Sequence, residues 1–179
     1  MKRPLRPLLS GGDRRSSARS PRAIALVRAN PSRVHELVAL VEDDDWLVSM
    51  RALDLLEKLA HSNPDWVTPH KRVFIGPIAD SDKWEVRLQV DRALPLFDWT
   101  SAQRRRALAI LRRDVDFPQT FVRAWALDSL STLAGNDPSL RRTVRRYLAE
   151  FERSGSKALQ ARARQIREKK TSGVVLRKT

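Results

Sequence analysis

Apolar positions in this chain recur with the period of an α-helix, and the helical runs themselves recur. Aligned on Val48, Val86, Val122 and Leu159, the sequence repeats at spacings of 38, 36 and 37 residues. Four residues past each anchor stand Ala52, Val90, Ala126 and Ala163, and seven past stand Leu55, Ala93, Ser129 and Ile166. Eight past stand Leu56, Leu94 and Leu130, with Arg167 in the last unit. Offsets 0, 4, 7 and 8 share one face of a 3.6-residue helix, so each anchor opens the buried stripe of a helix. The polar Arg167 suits a terminal repeat, whose outer side meets water.

A second mark precedes these helices. Asn30-Pro31, Asn63-Pro64 and Asp137-Pro138 each set a capping residue before a proline at the first helical position. There the Asn or Asp can accept a free N–H, and proline has none to leave unpaired. Thr100-Ser101 holds the equivalent place without proline. Each unit therefore reads as helix A, a short turn, then helix B. The A helices are predicted over 31–42, 64–79, 101–114 and 138–153, and the B helices over 46–60, 83–97, 118–133 and 156–169. Pro69 and Gly76-Pro77 should break the second A helix. Residues 21–29 read as a short helix capping the first unit.

The expected organisation is a basic flexible arm (1–20), a repeat domain (21–169) and a basic tail (170–179). The repeats fall at about 31–60, 64–97, 101–133 and 138–169. Gly173 to Leu176 is the one stretch with strand character, and it is too short to matter. The fold class is all-α, an α-solenoid of about four helical hairpins. An elongated monomer is expected, because stacked hairpins touch only their neighbours.

The turns into the B helices carry a further pattern. The second unit reads Asp80-Ser-Asp-Lys-Trp84-Glu85-Val86-Arg87, the third has Asp116 with Val122-Arg123, and the first has Asp45-Trp46-Leu47-Val48. This resembles the HEAT repeat family, whose second helix opens with an Asp-rich turn and Val-Arg. The resemblance covers about residues 31–169. It implies antiparallel helix pairs with the B helices on a concave side, and Asp and Arg positions that bond between repeats. Ser49 and Gln160 stand where Arg would be expected, so such a ladder falls to Arg87 and Arg123, both read as structural. The family serves transport, scaffolding and regulation and, in one lineage, DNA glycosylase chemistry.

Charge sharpens the question of partners. Thirty-five basic and 21 acidic residues leave a net charge of +14. It is uneven: +7 over 1–30, −4 over 31–60, −1 over 61–100, +3 over 101–135 and +9 over 136–179. Such asymmetry points to polyanion contact or to solubility alone. There is no Cys, which excludes disulfides and thiolate zinc sites. No apolar run reaches the roughly 20 residues of a membrane helix, so no membrane partner is expected. The first 20 residues lack the apolar core of a secretory signal. Their Arg and Ser bias also occurs in transit peptides, but Arg outnumbers Lys along the whole chain. A cytoplasmic protein is the expectation.

Two surfaces could bind a partner. Opposite the buried B-helix stripe, offsets 3, 6 and 10 place Arg51, Asp54, Lys58, Gln89, Arg92, Leu96, Trp125, Asp128, Thr132, Arg162, Gln165 and Lys169 on a groove-facing arc. From these, Arg51, Arg92, Trp125, Asp128 and Arg162 form the candidate groove site. Trp125 is its anchor for a partner or a stacked base, or else fills a gap against the next B helix. Trp46 and Trp84 recur at one offset and read as repeat packing, and Trp66 and Trp99 as core or staple residues.

The second surface is convex and basic. Arg105, Arg112 and Arg113 lie on the third A helix, and Arg142, Arg145 and Arg146 on the fourth. Such a face could neutralise phosphates without reading sequence, or be a solvated charged face.

Catalytic signals are weak. His35, His61 and His70 have no metal-ligand spacing, Gly11-Gly12 lacks the rest of a phosphate loop, and Asp43, Asp44 and Asp45 read as caps. No enzyme activity, cofactor or metal is expected. The expected function is an interaction scaffold or adaptor with a protein partner. The alternative is a nucleic-acid-binding module, with a HEAT-like alkylpurine DNA glycosylase as a remote version. Trp125, Asp128 and Arg92 or Arg162 would serve the latter, but the chain is short for that family and a second groove tryptophan is missing.

Overall fold

The computed structural model describes residues 4–135 and 137–175, with side chains described up to Lys169. Ten α-helices and several 3-10 turns run in order, with no strand among the described residues. The helices are α1 (Arg6–Leu9), α2 (Ser20–Ala29), α3 (Val34–Ala39), α4 (Trp46–Ser62), α5 (Pro64–Val67), α6 (Trp84–Ala93), α7 (Ser101–Asp114), α8 (Thr120–Ala134), α9 (Pro138–Arg153) and α10 (Lys157–Val175). The expected first A helix is α3 flanked by 3-10 turns at Pro31–Arg33 and Leu40–Glu42. The second is α5 followed by 3-10 turns at Thr68–Ile75 and Pro77–Asp80. Its break follows from Pro69 and Pro77, whose missing N–H groups cannot join an α ladder.

Every anchor is buried. Val48, Val86, Val122 and Leu159 are at most 2% exposed, and Ala52, Val90, Ala126 and Ala163 are fully buried. At offset 8 Leu56, Leu94 and Leu130 are also fully buried, while Arg167 is exposed and pairs with Glu152 at 2.5 Å. At roughly 25 cal/mol per Å² of apolar surface, these stripes are the main source of stability.

Capping is less regular than the sequence pattern. Asp137 accepts from the N–H groups of Ser139 and Leu140, at 2.9 and 3.2 Å. Thr100 and Gln103 form a reciprocal capping box, at 3.4 and 3.2 Å. Asn30 and Asn63 make no side-chain cap. Their carboxamide oxygens instead accept from the hydroxyls of Ser32 and Ser62, at 2.7 and 2.9 Å. A neighbouring serine has out-competed the backbone for each.

The residue after each anchor has one task in all four repeats. Ser49 donates its hydroxyl to the Asp43 carbonyl at 2.9 Å, and Arg87 donates to the Ser81 carbonyl at 2.6 Å. Arg123 donates to the Val115 carbonyl at 2.9 Å, and Gln160 to the Ser154 carbonyl at 2.7 Å. Each pins the turn between its own A and B helices, so the position is filled by three residue types with one chemistry. Arg123 also reaches Glu150 at 2.6 Å.

Close contacts divide the chain into two compact units, the first ending at Arg104 and the second starting at Arg105. In the first unit, the segment expected to be a flexible arm is folded from residue 5 onward. Leu5 and Leu9 are at most 1% exposed and Leu8 is 8% exposed. Gly11 and Gly12 take φ of +81° and +72°, which turns the chain back over α4. Residues 1–3 of that arm lie outside the described residues. In the second unit α8 ends at Gly135, with φ of +46°, whose carbonyl accepts from Arg141 at 2.7 Å. The expected tail is helical to Val175 as the end of α10, and 176–179 lie outside the described residues.

Candidate binding surface

In the first unit the arc of α4 and α6 opposite the buried stripe is spoken for. Arg51 is 2% exposed. Its guanidinium donates to the carbonyls of Leu9 (2.5 Å), Gly11 (2.8 Å), Asp13 (2.9 Å) and Ser16 (2.8 Å). Only a charged fork with five N–H donors can gather four backbone acceptors in this way. Arg51 is therefore a clamp on residues 9–16 and not a groove residue, which corrects the expectation. The expectation failed because the folded segment covers the arc.

Arg92 is also committed. It donates to Glu57 at 3.0 Å and to Gln89 at 3.5 Å, tying α6 to α4. Glu57 is 2% exposed and shares its Oε1 with His61 at 3.1 Å. A buried carboxylate needs such partners, because desolvating it alone would cost several kcal/mol. Beside these contacts a cavity of about 270 Å³ lies between the folded segment at Arg14, Ser17 and Ser20 and the helix residues Trp84, Glu85 and Gln89. Arg14 crosses it to reach Glu85 at 3.3 Å.

In the second unit no described segment lies over the same arc, and Phe121, Thr132, Gln165 and Lys169 on it are exposed. Phe121, Trp125, Asp128 and Thr132 follow one another at helical spacing on α8, and Ala158, Arg162, Gln165 and Lys169 do so on α10. The Arg162 guanidinium lies over the Trp125 ring, 4.0 Å from its centroid. It donates to Asp128 at 2.8 Å, and Lys169 donates to the same carboxylate at 3.0 Å. Asp128 is 5% exposed, so two cations, one of them braced on a ring, hold one buried anion. Of the expected groove residues, Trp125, Asp128 and Arg162 thus come together. Lys169 and Phe121 belong with them. Lys169 was on the arc, and Phe121 could have been found one turn before Trp125. Phe121 is 55% exposed, the one exposed large hydrophobic among the described residues.

This cluster carries one net positive charge. Stacking on Trp125 and pairing with Asp128 fix the guanidinium plane of a side chain that remains 18% exposed. A fixed guanidinium beside half-buried indole can meet a carboxylate or phosphate with an apolar neighbour.

The arginines of the expected convex face sort differently. Arg105, Arg112, Arg142, Arg145 and Arg146 are exposed. Arg113 is bidentate on the fully buried Asp114, at 2.7 and 3.0 Å, so it serves α7 itself. Arg146 lies over the Tyr147 ring at 4.2 Å. Burial and the hydroxyl's bond to Asp116, at 2.7 Å, raise the Tyr147 pKa above its ordinary value. Among the described residues no three His, Cys, Asp or Glu side chains gather as metal ligands. No helix there is long and apolar enough to cross a membrane.

No protein-family model matches the chain, and no curated protein matches it. Among solved structures it is similar to a designed armadillo repeat protein, YIII(Dq.V1)4CPAF in complex with the peptide (KR)4. The TM-score is 0.60 at 16% sequence identity, over 92% of this chain and 79% of that chain. The fold is an all-helical repeat of the armadillo kind. Armadillo and HEAT repeats are related helical solenoids, and at this identity the likeness extends to fold alone.

Proposed function

We propose that this protein is a HEAT-type interaction scaffold rather than an enzyme, and that the α8–α10 face takes an acidic segment of a partner protein. The carrying observation is Arg162, held between the Trp125 ring at 4.0 Å and Asp128 at 2.8 Å. The similar designed repeat protein is in complex with a basic peptide, (KR)4. A chain of net charge +14 calls for the opposite sign in its ligand. Phe121 and Trp125 supply apolar contact, and Arg162 and Lys169 supply the charge that orients it.

The test is anisotropy of a labelled peptide alternating Glu and Phe, against the wild type and Trp125→Ala. Truncating a central aromatic anchor commonly costs about 2 kcal/mol, so affinity should fall roughly 30-fold with the melting temperature nearly kept. Equal affinity in both proteins, or a collapse of stability in the variant, would remove this reading.

A further inference from the structure

We propose that the outward face of α9 is a second binding surface, one that grips the phosphate backbone of double-stranded nucleic acid. It shares no residue with the Trp125 cluster and stands independently of it.

Charge is concentrated in the second unit. From residue 105 to the end there are eighteen basic and seven acidic residues, against seventeen and fourteen before it. The acids of this unit are mostly spent internally. Asp114 holds Arg113, Asp128 holds Arg162 and Lys169, Glu150 holds Arg123 and Glu152 holds Arg167. Asp137 caps α9, and Asp116 accepts from Tyr147. Little negative charge is left to offset the arginines on the surface.

Helix α9 divides cleanly. Leu140, Val144, Tyr147, Leu148 and Phe151 are buried in the unit, at most 5% exposed. On the other side Arg142, Arg145, Arg146 and Arg153 are exposed. At 100° per residue Arg142, Arg146 and Arg153 fall within an arc of about 40°, with the small Ala149 between them and Arg145 about 60° to one side. The row is about 16 Å long. Arg142, Arg145 and Arg153 have no partner among the described residues, and Arg146 is steadied on Tyr147.

A duplex carries one charge per roughly 1.7 Å of axis, so about ten phosphates lie along the 16 Å that the row spans, enough for its four arginines in any register. Arginine suits this task, since its planar fork takes phosphate oxygens in pairs. A membrane surface fits less well, because the apolar stripe of α9 is consumed inside the unit and has nothing to insert. A protein partner fits less well, because the row has no aromatic or aliphatic anchor. A single strand would want rings to stack its bases on, and none stands in the row.

The experiment is fluorescence polarisation of the full chain with a labelled mixed-sequence duplex of about two helical turns, between 50 and 200 mM salt. Four phosphate contacts give a log–log slope near −3.6, hence about 100-fold weaker binding across that range. Changing Arg142, Arg145, Arg146 and Arg153 to Gln should abolish most of that affinity and slope while the melting temperature holds. Changing the same four to Lys should keep the slope, since the ion release is the same. Trp125→Ala should leave duplex affinity unchanged. The proposal fails if the Gln variant retains wild-type affinity and slope, or if the duplex does not bind at 50 mM salt. It also fails if polyglutamate competes as well as duplex at equal charge, which would make the face a protein site.

Discussion

Arg51 in the first unit and Arg162 in the second hold one repeat position, three residues past an anchor, and meet opposite fates. Arg51 is 2% exposed and spends its donors on four carbonyls of residues 9–16. Arg162 has an 18% exposed side chain, spread over an indole and tied to one carboxylate. The helices beneath them follow the same apolar rule. What differs, among the described residues, is that residues 9–16 lie over Arg51 and no such segment lies over Arg162. The repeat decides where a side chain points, and what it touches there decides whether it is structure or surface.

The part the two units share should be the least forgiving. Val86 and Val122 are both at the anchor and at most 1% exposed. Asp at either place puts a charge among apolar groups with no partner, at a cost of several kcal/mol. The melting temperature should drop by about 10 °C or more for either variant, given roughly 2–4 °C per kcal/mol at this chain length. If one of the two melts like wild type, the alignment of the units on those residues is wrong.

The difference between the units is tested by cutting the two arginines. Arg51→Met strips the partners from the carbonyls of Leu9, Gly11, Asp13 and Ser16. The loss should be on the order of 3 kcal/mol, and residues 9–18 should become open to proteases. Arg162→Met leaves the buried Asp128 still bonded to Lys169, so the cost should be smaller, about 1 to 2 kcal/mol. Equal losses from both would dissolve the contrast.

The outcome of each expectation follows from the range of the interactions behind it. The helical phase was legible because burial imposes it locally, residue by residue, from Val48 to Ile166. The folding of residues 5–20 was not, because its order rests on Arg51, whose acceptors lie 35–42 residues away. Leu5, Leu8 and Leu9 do have helical spacing, but they make only one turn before Gly11 and Gly12, too short a run to signal a packed segment. The shared role of Ser49, Arg87, Arg123 and Gln160 was hidden for another reason: hydroxyl, guanidinium and carboxamide all donate to a carbonyl, and identity alone does not reveal it. At the candidate site, Trp125 and Arg162 could be brought together because they sit at one offset on successive B helices. That Asp128 would be buried beneath two cations needed the distances.

The smallest effect expected is a difference in how the units respond to acid. Each has an arginine–carboxylate pair joining separate segments: Arg6 on Asp43 at 2.7 Å in the first, Arg167 on Glu152 at 2.5 Å in the second. The guanidinium hydrogen bond is the main reason both carboxyls sit below their ordinary values. A group whose pKa is depressed on folding stabilises the fold above its unfolded value, and that contribution fades as pH falls through its folded one. Both pairs should therefore be intact at neutral pH and weaken from about pH 4 downward. Asp43 also accepts the Asp45 N–H at 3.0 Å, and its side chain is only 10% exposed against 37% for Glu152. Salt should thus shift Glu152 back toward the ordinary range more than Asp43, since screening acts on exposed pairs first. Carboxyl-carbon NMR titrations at 0.1 and 1 M salt give both midpoints directly. An Asp43 midpoint that moves with salt as far as that of Glu152 would mean that the α1 pair is as loose as the α10 pair. The folded segment of the first unit would then be held by Arg51, by Arg14 on Glu85 and by its buried leucines, with little help from that pair.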